Sequence, residues 1–219
     1  MPSSPGVSPL TVRLGPLTAY NGAKGAVVNF TRWLAPPTAK EQYMNAVSEL
    51  AAVLDQVVAL VDSVDEQEWS APSPCEEWDV RGVVEHLLDV QQRFLANLTA
   101  QPVRTQPGFG ENTQLLVSAF SEEGALERLV PDRLGEITGL TLLRILMMEH
   151  LAHGWDLGQA LARPPAFDEE VVKRTIDFAQ QMSPKVPPAL RRFDDPQPVA
   201  PDAPAIDRLA ALLGRKVSA

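Results

Sequence analysis

The sequence is poor in cysteine and in positive charge, and both shortages exclude classes of protein. Cys75 is the single cysteine, so neither an intrachain disulfide nor a thiolate-rich metal cluster can form. Lys and Arg total 19 against 28 Asp and Glu, and the net charge of -9 repels a phosphate backbone on average. We therefore expect no nucleic-acid partner, and the single thiol fits a reducing, cytoplasmic location.

Long apolar runs are also missing. The most apolar stretch, residues 140–152, is interrupted by Arg144, Glu149 and His150 and is too short to span a bilayer. The first residues, MPSSPGVSP, lack the charged start and the apolar run of a signal peptide. We expect a soluble protein that does not bind membranes.

Helical periodicity is the strongest pattern in the rest of the chain. Residues 38–64, for example, repeat apolar side chains at three and four positions, as one buried helix face requires. The predicted helices are residues 38–64, 79–98, 113–130, 140–162, 168–182 and 204–213. Trp78 is expected to be a packing anchor, and no convincing strand pattern is found. The fold class predicted is all-α, a four-helix bundle with extra C-terminal helices and a Pro-rich arm at residues 183–201.

The fourth predicted helix carries polar side chains on an apolar face. Glu149, His153 and Asp156 lie at i, i+4 and i+7, so they share one stripe of the helix. Burying these groups costs several kcal/mol unless something compensates them, and a metal ion would do so. Two ligands at i and i+4 can chelate one ion. A buried Glu–His ion pair, or a histidine bonded to a backbone carbonyl, explains the spacing equally well.

A third ligand would come from the second helix, where His86 lies among apolar residues. Taken alone, His86 is more typical of a satisfied core histidine, but all three histidines fall in the two most apolar helices. Two histidines, a glutamate and a water form a usual catalytic zinc set. Nickel, cobalt, iron and manganese bind similar sets. Asp156 is expected to bond a ligand imidazole or an arginine. His150, one residue off the stripe, is expected behind the ligands or at the surface.

Three motifs, in order along the chain, carry a resemblance to a known family. They are WSAPSPCEEWDVRGVVEHLL, EHLAHGWDLGQALARP and PDAPAIDRLAALLGRK. They resemble the DinB-like bundle proteins of the mycothiol-dependent maleylpyruvate isomerase type, and more closely their stand-alone metal-binding branch. The resemblance covers about residues 40–216. It implies a DinB-like bundle in which His86, Glu149 and His153 hold a divalent metal ion, zinc by preference.

The resemblance also implies a chemistry. In that family the ion activates the thiol of mycothiol, because a metal-bound thiol loses its proton near neutral pH. The partners implied are a small-molecule thiol and an electrophilic substrate, and a homodimer is a further expectation. The isomerases carry an additional C-terminal domain with an arginine for substrate carboxylates, which this sequence ends without. A thiol transferase is therefore the more cautious prediction. The alternatives are a non-enzymatic metal-binding bundle with a ligand-binding or regulatory role, and a metal-free bundle.

The front of the chain shows a second resemblance. Residues 19–35, AYNGAKGAVVNFTRWLA, look like the Y-x-x-x-K helix of short-chain dehydrogenases, with Tyr20 and Lys24 as proton donor and lysine partner. Those enzymes need a Gly-rich dinucleotide turn and a parallel sheet before this helix. Too few residues precede Tyr20 for either, so we expect a fusion remnant or a misplaced start and no NAD chemistry. We divide the chain into a partly disordered extension with one short helix, residues 1–39, and the bundle domain, residues 40–219.

Overall fold

The structure, a computed structural model, describes residues 39–101, 108–133 and 135–217. The helix expected at residues 19–35 lies outside these residues, and so does all of the extension that contains it except Ala39. Ala39–Ala219 form one compact unit, which contains all the elements described below.

Four long helices form a bundle. They are α1 (Ala39–Asp62), α2 (Val80–Thr99), α3 (Phe109–Ser121) and α4 (Gly139–Ala160). α1 packs against α3 and α4, and α2 packs against the same two helices. Each helix therefore has two bundle neighbours, and α1 lies diagonally opposite α2. The predicted all-α four-helix bundle is confirmed.

α4 is the interior helix of the described part of the chain. It is buried on nearly every side, as its mostly apolar sequence predicts. α1 is also apolar, and its segment Gln42–Asp62 is long and apolar enough to cross a membrane by length and composition alone. The most apolar face of α1 instead packs in the bundle, with Leu50, Val53 and Leu54 buried in the core.

Polar caps fix where the helices begin. The side chain of Asp79 accepts a hydrogen bond of 2.9 Å from the Gly82 N–H at the start of α2. Thr138 accepts one of 3.2 Å from the Thr141 N–H at the start of α4. Because such residues satisfy N–H groups that have no partner within the helix, they mark helix starts in the sequence.

The predicted third helix, residues 113–130, is wrong at both ends. α3 already begins at Phe109 and stops at Ser121, because Glu122 is extended and Gly124 adopts a φ of +74°. An apolar periodicity that runs on past Ser121 therefore does not correspond to a continuous helix.

The end of that segment belongs to a small hairpin instead, so the expectation that the chain has no strand is also wrong. β1 (Leu129–Asp132) pairs antiparallel with β2 (Gly135–Thr138), with Val130 opposite Ile137. Strands of four residues are too short to show a clear alternation of apolar and polar residues, and Pro131 lies inside β1.

Two further helices, α5 (Glu169–Met182) and α6 (Ala205–Leu212), pack against each other and against α4. The Pro-rich arm between them contains short 3-10 turns at Ser183–Lys185 and Pro188–Leu190 and no α-helix. The arm is tied to α6 by a hydrogen bond of 2.8 Å from the Gln197 N–H to the carbonyl of Ala211. The predicted extra C-terminal helices and the arm are confirmed.

Candidate metal centre

Two facing helices bring three chelating side chains together. α2 carries His86, while α4 carries Glu149 and His153 one turn apart. One ligand atom from each residue lies within 4.8 Å of the others. The side chains of Glu149 and His153 are 8% and 3% exposed, whereas that of His86 is 27% exposed. The cluster is thus buried on the α4 side and accessible on the α2 side.

The distances within the cluster exclude short hydrogen bonds and leave room for a shared metal ion. Glu149 Oε2 lies 3.5 Å from His86 Nε2 and 3.6 Å from His153 Nε2. Charge-assisted N–H···O bonds measure about 2.7–2.9 Å, so both gaps are too long for them. Metal–ligand bonds of about 2.0–2.1 Å at tetrahedral angles put ligand atoms roughly 3.3 Å apart. The spacing therefore fits ligands around one ion, and it also fits a Glu–His ion pair without a short hydrogen bond.

The charge of the cluster also suits a cation. Burial raises the pKa of the Glu149 carboxyl, but the neighbouring imidazoles of His153 and His86 outweigh it and hold that pKa below its usual range. Glu149 is therefore an ionised carboxylate in a buried position. A divalent ion would compensate the negative charge of this carboxylate while binding all three groups.

Asp156 and Arg215 stand behind His153, on the side away from Glu149. His153 Nδ1 donates a hydrogen bond of 2.9 Å to Asp156 Oδ2. Arg215 donates to the same carboxylate through Nη2, at 2.8 Å, and through Nε, at 3.2 Å. Burial raises the pKa of Asp156, but the interactions with His153 and Arg215 lower it by a larger amount. The net pKa lies below its usual value, so the carboxyl stays ionised. The two expectations for Asp156, an imidazole partner and an arginine partner, are both met.

Arg215 is the residue of this site that the sequence reasoning missed. It lies 59 residues beyond Asp156, so no helical spacing links the two. The available signal was its place in the third motif, PDAPAIDRLAALLGRK, which contains two arginines, Arg208 and Arg215.

His150 lies outside the cluster and belongs to a separate polar network. It is fully buried, which excludes the surface position considered above. Its Nδ1 donates to the carbonyl of Leu146 and its Nε2 accepts from Gln91, both at 2.9 Å. Gln91 in turn accepts from Asn112 at 3.1 Å, and Asn112 Oδ1 has no hydrogen-bond partner among the described residues. Burial lowers the pKa of His150 to about 4, so this imidazole is neutral.

Trp78 covers one face of the cluster. Its ring stacks on His86 with 4.4 Å between ring centroids and an interplanar angle of 25°, and it lies 5.6 Å from the ring of His153. Gly82 leaves room for the Trp78 side chain to lie against the helix, because a Cβ at residue 82 would come within 2.9 Å of Trp78 Cβ. Trp78 is therefore a packing anchor, as expected, but the group that it packs against is a candidate ligand.

Two histidines and a glutamate that converge from facing helices of a bundle are a ligand set of the kind found in metal-binding bundles. The family comparison is more specific, since residues 50–136 match the family described as "Mycothiol maleylpyruvate isomerase N-terminal domain". This stretch of the chain is similar to that family, which confirms the resemblance expected from the motifs. The match includes His86, while Glu149 and His153 lie beyond its end.

Similarity to curated proteins extends over more of the chain. Two proteins of Mycobacterium tuberculosis, each named as uncharacterized, are similar to it: one from strain CDC 1551 / Oshkosh and one from strain ATCC 25618 / H37Rv. Each is 26% identical over 170 residues, which cover 74% of this chain and 93% of the relative. No solved structure matches the chain.

Proposed function

We propose that the protein binds one divalent metal ion through His86, Glu149 and His153, and that it uses this ion to activate a small-molecule thiol for transfer or isomerisation. The observation that carries the proposal is the convergence of three ligand atoms within 4.8 Å, at spacings too long for direct hydrogen bonds. The family description, which names mycothiol, supports the choice of a thiol as co-substrate.

The chemistry of the donor set favours zinc. Two imidazoles and one carboxylate are a usual catalytic zinc composition, and three protein ligands leave room for a further one. When bound, such an ion lowers the pKa of a coordinated thiol and makes it a nucleophile at neutral pH. Glu149 supplies the negative charge, and Trp78 packs on the ring of His86. His86 is the most exposed ligand, so a small molecule would approach from its side.

The proposed chemistry also indicates which partners the protein would have. The partners would be a small thiol, with mycothiol as the first candidate, and an electrophilic substrate. We expect the protein to bind neither nucleic acid nor a membrane. We also propose that the protein is cytoplasmic and forms a homodimer.

A non-enzymatic role is the second candidate. A cavity of about 460 Å³ lies between α1, α4 and α5, and its lining includes none of the three chelating residues. A ligand bound there would be separated from the metal cluster. That arrangement favours a metal-carrying bundle that binds a ligand or partner in a regulatory role.

Metal content tests the binding site. Purified wild-type protein should carry about one equivalent of zinc or a similar ion by elemental analysis. His86→Ala and His153→Ala should lose it, because each removes one of three ligands. His150→Gln is the matched control, a buried histidine of α4 that lies outside the cluster, and it should keep the ion. Substoichiometric metal in the wild type, together with no change in His153→Ala, would contradict the site.

Thiol consumption separates the two functions. Metal-loaded protein is incubated with mycothiol and a panel of electrophiles, and free thiol is followed over time. Consumption that disappears in His86→Ala supports the enzyme. Tight metal binding with no turnover on any electrophile favours the non-enzymatic bundle.

A further inference from the structure

We infer that Arg215 is a positioning residue of the metal centre, acting on the candidate ligand His153 through Asp156. The segment that follows α6 would then contribute a residue to the metal centre. This inference rests on the proposed metal-binding function, and it adds a residue that neither the ligand set nor the matched segment 50–136 contains.

The first step is the proton on His153. Both carboxylate oxygens of Asp156 accept hydrogen bonds from Arg215, whose guanidinium can only donate them. His153 Nδ1, 2.9 Å from Asp156 Oδ2, must therefore carry a proton. Arg215 Nη2 also lies 3.4 Å from His153 Nδ1, as expected for two donors that share one acceptor oxygen.

The second step follows from the two nitrogens of one imidazole. When His153 is neutral and its proton is held on Nδ1, its lone pair is on Nε2, the atom that lies 3.6 Å from Glu149 Oε2. That is the tautomer needed for a ligand in the proposed cluster. The carboxylate behind a metal-bound histidine commonly fixes the tautomer and the ring orientation in this way.

The third step concerns what holds the carboxylate in place. Asp156 is fully buried and Arg215 is 8% exposed, so the pair is hardly screened by water. Arg215 contacts both carboxylate oxygens, Oδ1 through Nε and Oδ2 through Nη2. A planar guanidinium fixes a carboxylate at two points, whereas the ammonium group of a lysine acts as a point charge.

Arg215 is itself anchored by the C-terminal part of the chain. Its Nη1 donates a hydrogen bond of 2.9 Å to the carbonyl of Leu213, and its guanidinium lies 5.3 Å from the ring centroid of Phe193 in the Pro-rich arm. Gly214 has a φ of +92°, and a Cβ there would come within 2.5 Å of Asp194 Cβ. The arm and the end of α6 therefore meet at the residue before Arg215 and hold its backbone in place.

Cobalt(II) binding to the full-length chain tests the inference, since its visible absorption bands report ligand geometry independently of any activity. Arg215→Gln should weaken cobalt affinity about 10- to 100-fold, as is typical when a group behind a metal ligand is lost, and should change the absorption bands. Arg215→Lys should recover only part of the affinity. Lys216→Gln is the matched control, because Lys216 is exposed, pairs with Glu76 and should bind cobalt like the wild type.

The outcomes separate this inference from the function on which it rests. A wild-type chain that takes up no cobalt overturns the proposed metal site itself. If the wild type binds cobalt and Arg215→Gln binds it with equal affinity and unchanged bands, only the role of Arg215 is overturned, whatever happens to thermal stability. Where Arg215→Gln does not fold, Arg215→Lys decides: full wild-type affinity and spectrum contradict the two-point contact, and weaker binding with altered bands supports it.

Discussion

Glu149 interacts with its neighbours both with and without a metal ion. Its carboxylate is buried and ionised, and its nearest side-chain partners are two imidazoles at 3.5 and 3.6 Å. Without a metal ion the carboxylate is compensated only by these two imidazoles, which hold its pKa below the usual range despite its burial. With a cation the same carboxylate becomes the charged ligand of the set.

Glu149→Gln should therefore remove the stabilisation that metal provides. It should also make the metal-free protein less stable, because the neighbouring imidazoles lose the ionised carboxylate with which they interact. At a free ion concentration about 1,000 times Kd, metal adds about 4 kcal/mol to the free energy of unfolding of a protein that binds it only when folded. Melting temperatures with and without zinc check this. Glu85→Gln, at an exposed glutamate next to His86, should respond to zinc like the wild type. An equal zinc response in Glu149→Gln would contradict the ligand role.

His150 gives the metal-free protein a defined acid sensitivity. Its pKa is about 4 in the folded protein, below the ordinary value of 6.5. Between these values the unfolded chain binds more protons, so the free energy of unfolding decreases as pH falls through that window. The contribution of neutral His150 to the free energy of unfolding is fully present above pH 6.5, and about 2 kcal/mol of it is lost at pH 5.

The measurement is denaturant unfolding of wild type and His150→Gln at pH 5 and pH 7.5, both without metal. The other titrating groups are common to the two proteins, so the difference between their pH dependences isolates His150. The wild type should lose about 2 kcal/mol more than the variant on acidification. Equal losses would show that His150 is not held neutral by burial.

At the scale of the helix, the first turn of α2 determines what surrounds the candidate ligand His86. Asp79 caps the helix, Gly82 leaves room for Trp78 to fold back, and Trp78 stacks on His86. A single turn of helix therefore sets the surroundings of a candidate ligand.

Gly82→Ala should destabilise the protein, although alanine is usually preferred to glycine in a helix by about 1 kcal/mol. The new Cβ would lie 2.9 Å from Trp78 Cβ, which cannot move without the backbone. Such overpacking costs about 1–3 kcal/mol, so we expect a net loss on the order of 1 kcal/mol and weaker metal binding. Chemical denaturation and cobalt titration check both effects.

Gly110→Ala is the matched control for this prediction. Gly110 lies in the first turn of α3, and the nearest side-chain atom to a Cβ there, Val58 Cγ1, is 3.4 Å away. This variant should be neutral or slightly more stable and should bind cobalt normally. A Gly82→Ala variant that behaves in the same way would show that Trp78 is free to shift.

The elements differ in how well the sequence predicts them, and the reason is physical. α1, α2 and α4 are long, periodic and flanked by proline or a capping residue such as Asp79, so their positions could be predicted within one or two residues. The β1–β2 hairpin has four residues per strand, which is too short for a periodic signal. The end of α3 depends on the backbone conformation at Glu122 and Gly124, which the periodicity of the surrounding apolar residues does not reveal.

The same contrast holds for the candidate site. The proximity of Glu149 and His153 follows from helical spacing, since four residues make about one turn. His86 comes from another helix, and its place in the cluster could be predicted only from the small number of histidines and from the family motifs. Arg215 and Trp78 reach the cluster through tertiary packing, which no local pattern encodes.

At the scale of the whole molecule, the candidate ligands connect α2 to α4, two helices that are neighbours in the bundle. Metal should therefore stabilise one side of the bundle more than the other. Hydrogen–deuterium exchange should slow on zinc loading in α2 and in the second half of α4, and in residues 213–217 that hold Arg215. α5 should change little. A uniform slowing along the chain would indicate global stabilisation instead, and no change would argue against binding.

The stacking of Trp78 on His86 has a practical consequence. An indole ring with its centroid 4.4 Å from that of a candidate ligand imidazole is well placed for its fluorescence to be quenched by a paramagnetic ion such as copper(II). Trp155 lies on α4 but directs its Nε1 to Asp207, 2.7 Å away, and is not one of the aromatic neighbours of His86. The protein thus carries its own optical probe. Comparing the emission of Trp78→Phe and wild-type protein during a copper titration would allow the occupancy of the centre to be followed without an added dye.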